Sequence, residues 1–147
     1  MTNLLTNLFG GKIITETKIV KEHESFIINA IKSMYSEFGF TKKEMDEIRI
    51  ELIDSFGNEE GHVSSMSFAK NTKTDFKISI FIKSVAKGAR KDKKMFYNII
   101  QCIVRSFVSC SYRANDIEID DKEVEAETKK VMKKNKRMIN QIVAACI

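Results

Sequence analysis

The sequence predicts an α+β fold: a two-layer sandwich of a small, mostly antiparallel sheet covered by helices, with an extra C-terminal helix. Apolar residues recur at helical spacing in several stretches, whereas residues 76–83 alternate apolar and polar side chains as strands do. The chain of 147 residues has no proline and no linker-like stretch, so residues 1–147 are expected to form one domain. Within it, we expect residues 1–11 to be a loose lead-in and residues 121–147 to be the C-terminal helix.

The first half of the chain contains one predicted strand and two predicted helices. Residues 12–20 are rich in β-branched side chains, which favours a strand. Residues 24–38 carry an apolar stripe and are followed by Gly39, a typical helix C-cap. Residues 41–62 begin with a T-x-x-E capping box and continue with apolar residues at spacings of three and four. They predict a second long helix, which forms an αα-hairpin with the first.

After the second helix the apolar pattern changes to the two-residue period of strands. Residues 63–68 predict an irregular strand and residues 76–83 a regular one, and turn-forming residues at 71–75 join them in a β-hairpin. Residues 92–113 have apolar side chains on nearly every side, which is typical of a helix buried on several faces. Residues 116–120 predict a short strand. The expected order is therefore β-α-α-β-β-α-β-α.

Composition and charge exclude several classes of protein. No apolar run reaches the roughly 18 residues of a membrane helix, and no secretory signal is present, so we expect a cytoplasmic protein without membrane contact. Three cysteines without a C-x-x-C pair argue against a disulfide framework or a zinc site, and Cys102 and Cys110 are expected to be core residues. The net charge is +5, and residues 83–94, which we call the basic loop, contain six basic residues and one acid. This loop is a candidate partner surface.

Three polar residues of the predicted helix 41–62 are candidate site residues. At 100° per residue, Asp54, Asn58 and His62 are separated by about 40° each and fall opposite the apolar stripe. That face carries a carboxylate, an amide and an imidazole. In an alternative interpretation the helix ends at Gly57, and Asn58 lies in a solvated turn.

The order of elements and the string D-x-x-x-N-x-x-x-H from Asp54 to His62 resemble the anti-sigma-factor serine kinases, a family of GHKL ATPases with the Bergerat fold. The matching family motif is the N-box, commonly E-x-x-x-N-x-x-x-H. The resemblance implies that Asp54 takes the place of the general base, Asn58 that of the magnesium ligand and His62 the last N-box position. ATP and Mg²⁺ are the implied cofactors if the N-box is functional. Lys87 and Arg90, in the basic loop, would hold a phosphate by charge.

The chain departs from the family at the glycine-rich motifs. Residues 83–88, which match the family's D-x-G-x-G motif, contain no acid and one glycine, and residues 93–96 replace the later G-x-G motif. Backbone amides approach a phosphate closely only where glycines leave room. The resemblance therefore implies an impaired nucleotide site, and we expect no bound cofactor.

The expected function is that of a protein-binding regulatory module rather than an enzyme. The candidate surfaces for its partner are the basic loop and the C-terminal helix, and residues 138–147 are either core or the seam of a homodimer. Two alternatives stay open. One is an active ATP- and magnesium-dependent serine kinase or ATPase. The other is a small basic nucleic-acid-binding protein that uses the basic loop together with the lysine-rich half of the last helix.

Overall fold

The computed structural model describes residues 17–65 and 74–147, which form an α+β fold of seven α-helices and a three-stranded sheet. This confirms the predicted fold class. The elements in chain order are α1 (Lys18–Glu22), α2 (Glu24–Lys32), a 3₁₀ helix (Tyr35–Phe38), α3 (Lys42–Glu47), β1 (Arg49–Ile53), β2 (Gly61–Ser65), β3 (Phe76–Phe81), α4 (Ile82–Ala86), α5 (Asp92–Ala114), α6 (Asp121–Lys134) and α7 (Lys136–Ala145). The lead-in at 1–11 lies outside the described residues.

The sheet has the order β1-β3-β2 and is mixed. The central strand β3 pairs in parallel with β1 and antiparallel with β2. The antiparallel pair confirms the predicted β-hairpin, although residues 66–73, which include most of its predicted turn, lie outside the described residues. As a consequence, β1 and β2 are the edge strands of the sheet that the described residues form.

One face of the sheet packs on the helices and the other faces away from them. In β3 the side chains of Phe76, Ile78 and Ile80 are buried, while Lys77 between them is exposed. The period of two predicted this alternation, and it separates a core face from a solvent face. The core side chains pack against α5, the predicted long helix, which contacts β2, β3 and four of the other α-helices.

The predicted helix 41–62 is wrong beyond its first two turns. Its start is confirmed, because Thr41 and Glu44 form both hydrogen bonds of a capping box. The helix ends at Glu47, and β1 follows directly. The reason is that residues 48–53 fit both periods: apolar residues occur at helical spacing, and they also alternate with polar ones. All five residues of β1 pair with β3, and this pairing stabilises the strand over the helix.

Two other predictions in the first half need correction. The predicted strand 12–20 lies outside the described residues up to residue 16, and its end is helical, in α1. The predicted helix 24–38 ends at Lys32 and is followed by the 3₁₀ helix. Gly39 has a φ of +74°, which confirms its expected left-handed cap conformation.

The second half differs from its predictions at three places. Helix α4 takes up the start of the basic loop, so the irregular segment spans only residues 87–91. Residues 116–120 form no strand, and the amide of Ile117 instead donates to the Tyr112 carbonyl at the end of α5. The predicted last helix is broken at Asn135, whose side chain donates to the Val131 carbonyl and ends α6. The break lets α7 pack separately on α5.

The apolar end of the chain belongs to the core. Ile139, Ile142, Val143 and Cys146 are all buried within this chain. A homodimer stays a prediction. Within the two described segments, no helix is long and apolar enough to cross a membrane.

Candidate functional site

The three N-box candidates do not share a helix face. Asp54 follows β1, Asn58 lies in the exposed turn after it, and His62 is in β2. A spacing of four residues brings side chains together on a helix but not across a strand, a turn and a second strand. The geometric argument for one nucleotide-binding face therefore fails, and the alternative with Asn58 in a solvated turn is closer to the structure.

Each of these side chains has its own surroundings. Asp54 Oδ1 accepts a hydrogen bond of 2.7 Å from Thr17 Oγ1, which ties the end of β1 to the start of α1. His62 Nδ1 lies 2.8 Å from Glu59 Oε1, and both side chains are more than half exposed. Asn58 is exposed. The proposed roles of Asp54 as base and of Asn58 as magnesium ligand stay predictions.

Lys87 and Arg90 are exposed in the segment between α4 and α5. Neither lines the groove described below, whereas Asn58 and His62 both do. Among residues 17–65 and 74–147, no three His, Cys, Asp or Glu side chains are placed to hold a metal ion.

The three cysteines are free and buried, which confirms Cys102 and Cys110 as core residues. Burial raises the pKa of both thiols to about 12; Glu60 adds to the effect at Cys102, whereas Arg105 opposes it there. A protonated thiol is a poor nucleophile, so neither residue is an activated catalytic cysteine.

A groove of about 750 Å³ lies along the outer side of β2. The turn at 58–60 and the strand itself form one wall. Helix α5, from Cys102 to Arg113, forms the other, and Ile119 and Asp121 lie at its border. The two walls approach closely at Gly61, where an added Cβ would lie 3.0 Å from Ile80 Cδ1 and 3.2 Å from Cys102 Sγ. Glycine therefore allows α5 to cross the edge of the sheet here.

The outer edge of β2 presents backbone groups to this groove. The amide of Phe81 donates to the Glu60 carbonyl over 2.8 Å, so residues 60, 62 and 64 direct their backbone groups toward β3. Gly61 and Val63 then direct theirs outward. Arg113 Nη1 donates to the Val63 carbonyl over 2.9 Å, as this alternation requires. Within the described part of the chain, this is the one hydrogen bond between a side chain and that edge.

The outer edge of β1, in contrast, carries charged side chains at Leu52 and just before the strand at Ile48. The amide of Leu52 donates to Glu24 Oε2 over 2.8 Å, and Lys21 Nζ donates to the Leu52 carbonyl over 2.7 Å. Lys32 Nζ donates to the Ile48 carbonyl over 2.7 Å, and burial lowers the pKa of this lysine against the opposing effect of Asp46. Charged side chains on a sheet edge prevent another strand from pairing there.

The groove carries both signs of charge. Arg105 forms a salt bridge of 3.3 Å with Glu125, and the pair is about half exposed. Glu59 and His62 pair at the opposite wall. The α5 wall also contributes the small side chains of Cys102 and Ser106. Among the described residues, the outward amides of Gly61 and Val63 have no hydrogen-bond partner, and charged side chains flank them.

Gly61 and Arg113, which shape this groove, were not among the residues named from the sequence. Gly61 lay inside a predicted helix, and Arg113 was only the end of a predicted helix. The two glycines, Gly57 and Gly61, were the local signals against a helix that continues to His62. Nothing local indicated Arg113, because its partner Val63 is 50 residues away in sequence.

Comparison with protein-family models, with curated proteins and with solved structures found no match. The resemblance to the anti-sigma-factor serine kinases therefore stays a prediction from the sequence.

Proposed function

We propose that this chain is a protein-binding regulatory module that takes an extended segment of its partner as an added strand along the outer edge of β2. One observation carries the proposal: Gly61 and Val63 direct their backbone groups into a groove of about 750 Å³. Adding a strand to an exposed sheet edge supplies affinity through main-chain hydrogen bonds, and pockets beside the edge supply specificity.

The difference between the two edges supports this choice of surface. At the β1 edge, Glu24 and Lys21 bind the outward amide and carbonyl of Leu52, and Lys32 binds the carbonyl of the residue just before β1. An unprotected edge is a liability that proteins usually remove. Among the described residues only Arg113 binds the β2 edge through its side chain, and such an open edge is expected where a partner uses it.

Arg113 acts in this proposal as a removable cover. Its guanidinium occupies the Val63 carbonyl, and Arg113 is itself exposed. An incoming strand would replace that hydrogen bond with one from its own amide, and the released cation would then pair with an acidic side chain of the partner. A partner segment that is extended and carries one carboxylate fits the groove best.

The test is a proline substitution that removes one outward amide. Peptides of 12 residues selected against the protein from a random phage-displayed library are titrated by calorimetry against the wild type and Val63→Pro. We expect the affinity to fall at least about tenfold, the cost of one or two main-chain hydrogen bonds. The fold should survive, because the Val63 amide does not take part in the β2–β3 ladder.

Val63→Ala is the matched control, since it shortens the same side chain and keeps the amide. Circular dichroism spectra establish that both variants are folded. Equal affinities of Val63→Pro and Val63→Ala for the selected peptides would show that the amide is not used, and the proposal would then be wrong.

We also expect no saturable binding of ATP with magnesium at millimolar concentration. Asp54 is held by Thr17, and Asn58 lies in a separate exposed turn, so base and metal ligand share no face. Calorimetric titration of the wild type, with Asn58→Ala beside it, measures this. Saturable binding that is lost in Asn58→Ala would restore the kinase hypothesis.

A further inference from the structure

Six lysines from the start of α5, from α6 and from the start of α7 surround Tyr97. We call this the Tyr97 surface, and its lysines are Lys91, Lys93, Lys94, Lys129, Lys133 and Lys136. It shares no residue with the groove beside β2. The sequence analysis placed these lysines in two separate stretches, and the packing of α6 and α7 on α5 brings them together.

Two shallow grooves make the surface continuous. One, of about 310 Å³, lies among the three lysines at the start of α5. The other, of about 280 Å³, lies among the three lysines of α6 and α7. Both are lined by Tyr97 and Asn140, so the two grooves meet there. An elongated ligand that follows both grooves would pass both groups of three lysines.

No acidic side chain within the described segments neutralises these lysines by a salt bridge. All six are exposed. The salt bridges that residues 17–65 and 74–147 form with one another use other basic residues: Lys21, His62, Arg105 and Lys134. The acids of α6 lie in its first half, where Glu125 pairs with Arg105. Among the described residues, the surface is therefore a concentration of lysines without salt bridges.

Helix stability explains only part of this arrangement. Lys133 lies in the last turn of α6, where a cation is favoured by the helix dipole. Lys93 and Lys94, however, lie in the first turn of α5, where the dipole disfavours cations. Lys94 Nζ is held 5.2 Å from the centre of the Tyr97 ring. Charges placed against the local preference of a helix are expected where a ligand uses them.

We propose that the Tyr97 surface binds the phosphate backbone of a nucleic-acid strand. Regularly repeated phosphates match lysines spread along two connected grooves. The amides of Gln101 and Asn140 and the phenol of Tyr97 lie between the lysines and supply hydrogen bonds to sugars or bases. This role is separate from the protein-binding function proposed above and does not depend on it.

A membrane surface and an acidic peptide fit less well. The large apolar side chains that are exposed in the described segments are Phe26, Phe56, Ile117 and Ile147, and none of them lines the Tyr97 surface. Insertion into a bilayer would need such residues. An acidic peptide would use the lysines but not the aromatic and amide groups between them.

The test is fluorescence anisotropy with labelled 20-nucleotide probes of mixed sequence: single-stranded RNA, single-stranded DNA and duplex DNA. We expect binding to at least one probe, with an affinity that falls steeply between about 50 and 200 mM salt. Six phosphate contacts to a single strand give a slope of about −4 in log K against log salt. The three probes distinguish single-stranded from duplex ligands.

The variant Lys93→Gln/Lys94→Gln/Lys133→Gln removes three of the six charges. We expect it to lose at least about tenfold in affinity and to reduce the salt slope by about 2. The control variant Lys42→Gln/Lys43→Gln/Lys122→Gln removes the same charge from other exposed positions and should change the affinity less than about twofold.

Three outcomes would overturn the proposal: no binding to any probe at 50 mM salt (a low salt concentration, about a third of physiological), equal losses in the two triple variants, or equally tight binding of polyglutamate or of phosphatidylserine vesicles. Val63→Pro should retain nucleic-acid binding, because Val63 does not belong to the Tyr97 surface. Peptide binding at the β2 edge and nucleic-acid binding can therefore fail independently.

Discussion

Cys102 and Cys110 are expected to react with Ellman's reagent at pH 8 about a thousandfold more slowly in the folded protein than in urea. Burial raises the pKa of each thiol from 9.0 to about 12. The thiolate is the reactive form, and its share at pH 8 falls from roughly a tenth to about one part in ten thousand. Stopped-flow absorbance with and without urea measures the ratio. Cys146, whose pKa burial also raises, should react slowly as well.

The same thiols make the folded state less stable at high pH. Below pH 9.0 they are protonated in both states, so their contribution to stability is complete. Above it the unfolded chain releases protons first, and stability falls until the folded thiols ionise near pH 12. Each thiol contributes a slope of about 1.4 kcal/mol per pH unit.

Cys110→Ala isolates this contribution. Urea unfolding of the wild type and the variant across pH 9.0 to about 12 should give a shallower fall in the variant, because one of the two thiols is removed. Identical pH slopes, or thiols that react at similar rates in folded and unfolded protein, would contradict the buried, protonated state.

Phe107→Ala should destabilise the protein by about 3–5 kcal/mol. Phe107 is fully buried in α5, and its ring centre lies 5.4 Å from that of Phe38. The truncation removes apolar contacts, leaves a cavity and breaks this aromatic pair. The free energy of unfolding from urea titration followed by circular dichroism measures the loss.

Phe26→Ala is the matched control. Phe26 is 47% exposed on α2, so the same truncation should cost much less, about 0.5 kcal/mol or under. Phe107→Leu retains most of the apolar volume and serves if Phe107→Ala does not fold. Similar losses in Phe107→Leu and Phe26→Ala, both under about 0.5 kcal/mol, would show that the core is not centred on α5.

Elements with a single compatible period were predicted correctly from the sequence. The predicted helix 92–113 corresponds to α5 (Asp92–Ala114), because its apolar residues recur only at helical spacing. The alternation at 76–83 predicted β3 correctly as far as Phe81, although the last two residues of the predicted strand begin α4. The capping box of Thr41 followed from a short-range motif. Each of these signals lies within a few residues of the element it predicts.

Where a stretch fits both a helix and a strand, its secondary structure depends on contacts with residues elsewhere in the chain. Residues 48–53 fit a helix or a strand equally well, and their pairing with residues 77–81 made them β1. Residues 116–120 alternate like a strand but pair with no other described strand, and so they stay irregular. A strand needs a partner, and the identity of that partner is not a local property.

The candidate site also contains residues that the sequence indicated and residues that only the structure identified. Asn58 and His62 were named from the sequence for a face of a helix that does not exist, and they instead line the groove beside β2. Arg113 and Gly61 were not named, although they define the groove, because their contacts join residues far apart in the chain.

The sequence by itself determined which residues are buried in α5 and β3, the core positions of Cys102 and Cys110, and the unequal distribution of positive charge. Hydrophobic periodicity and composition are properties of neighbouring residues, so they can be read from the sequence without knowledge of the fold. Only the tertiary structure decided that the described residues leave most of the outer β2 edge without side-chain hydrogen bonds, and that six lysines line two grooves that meet at Tyr97. Both depend on which distant elements pack together, and that choice is made by the free energy of the whole domain.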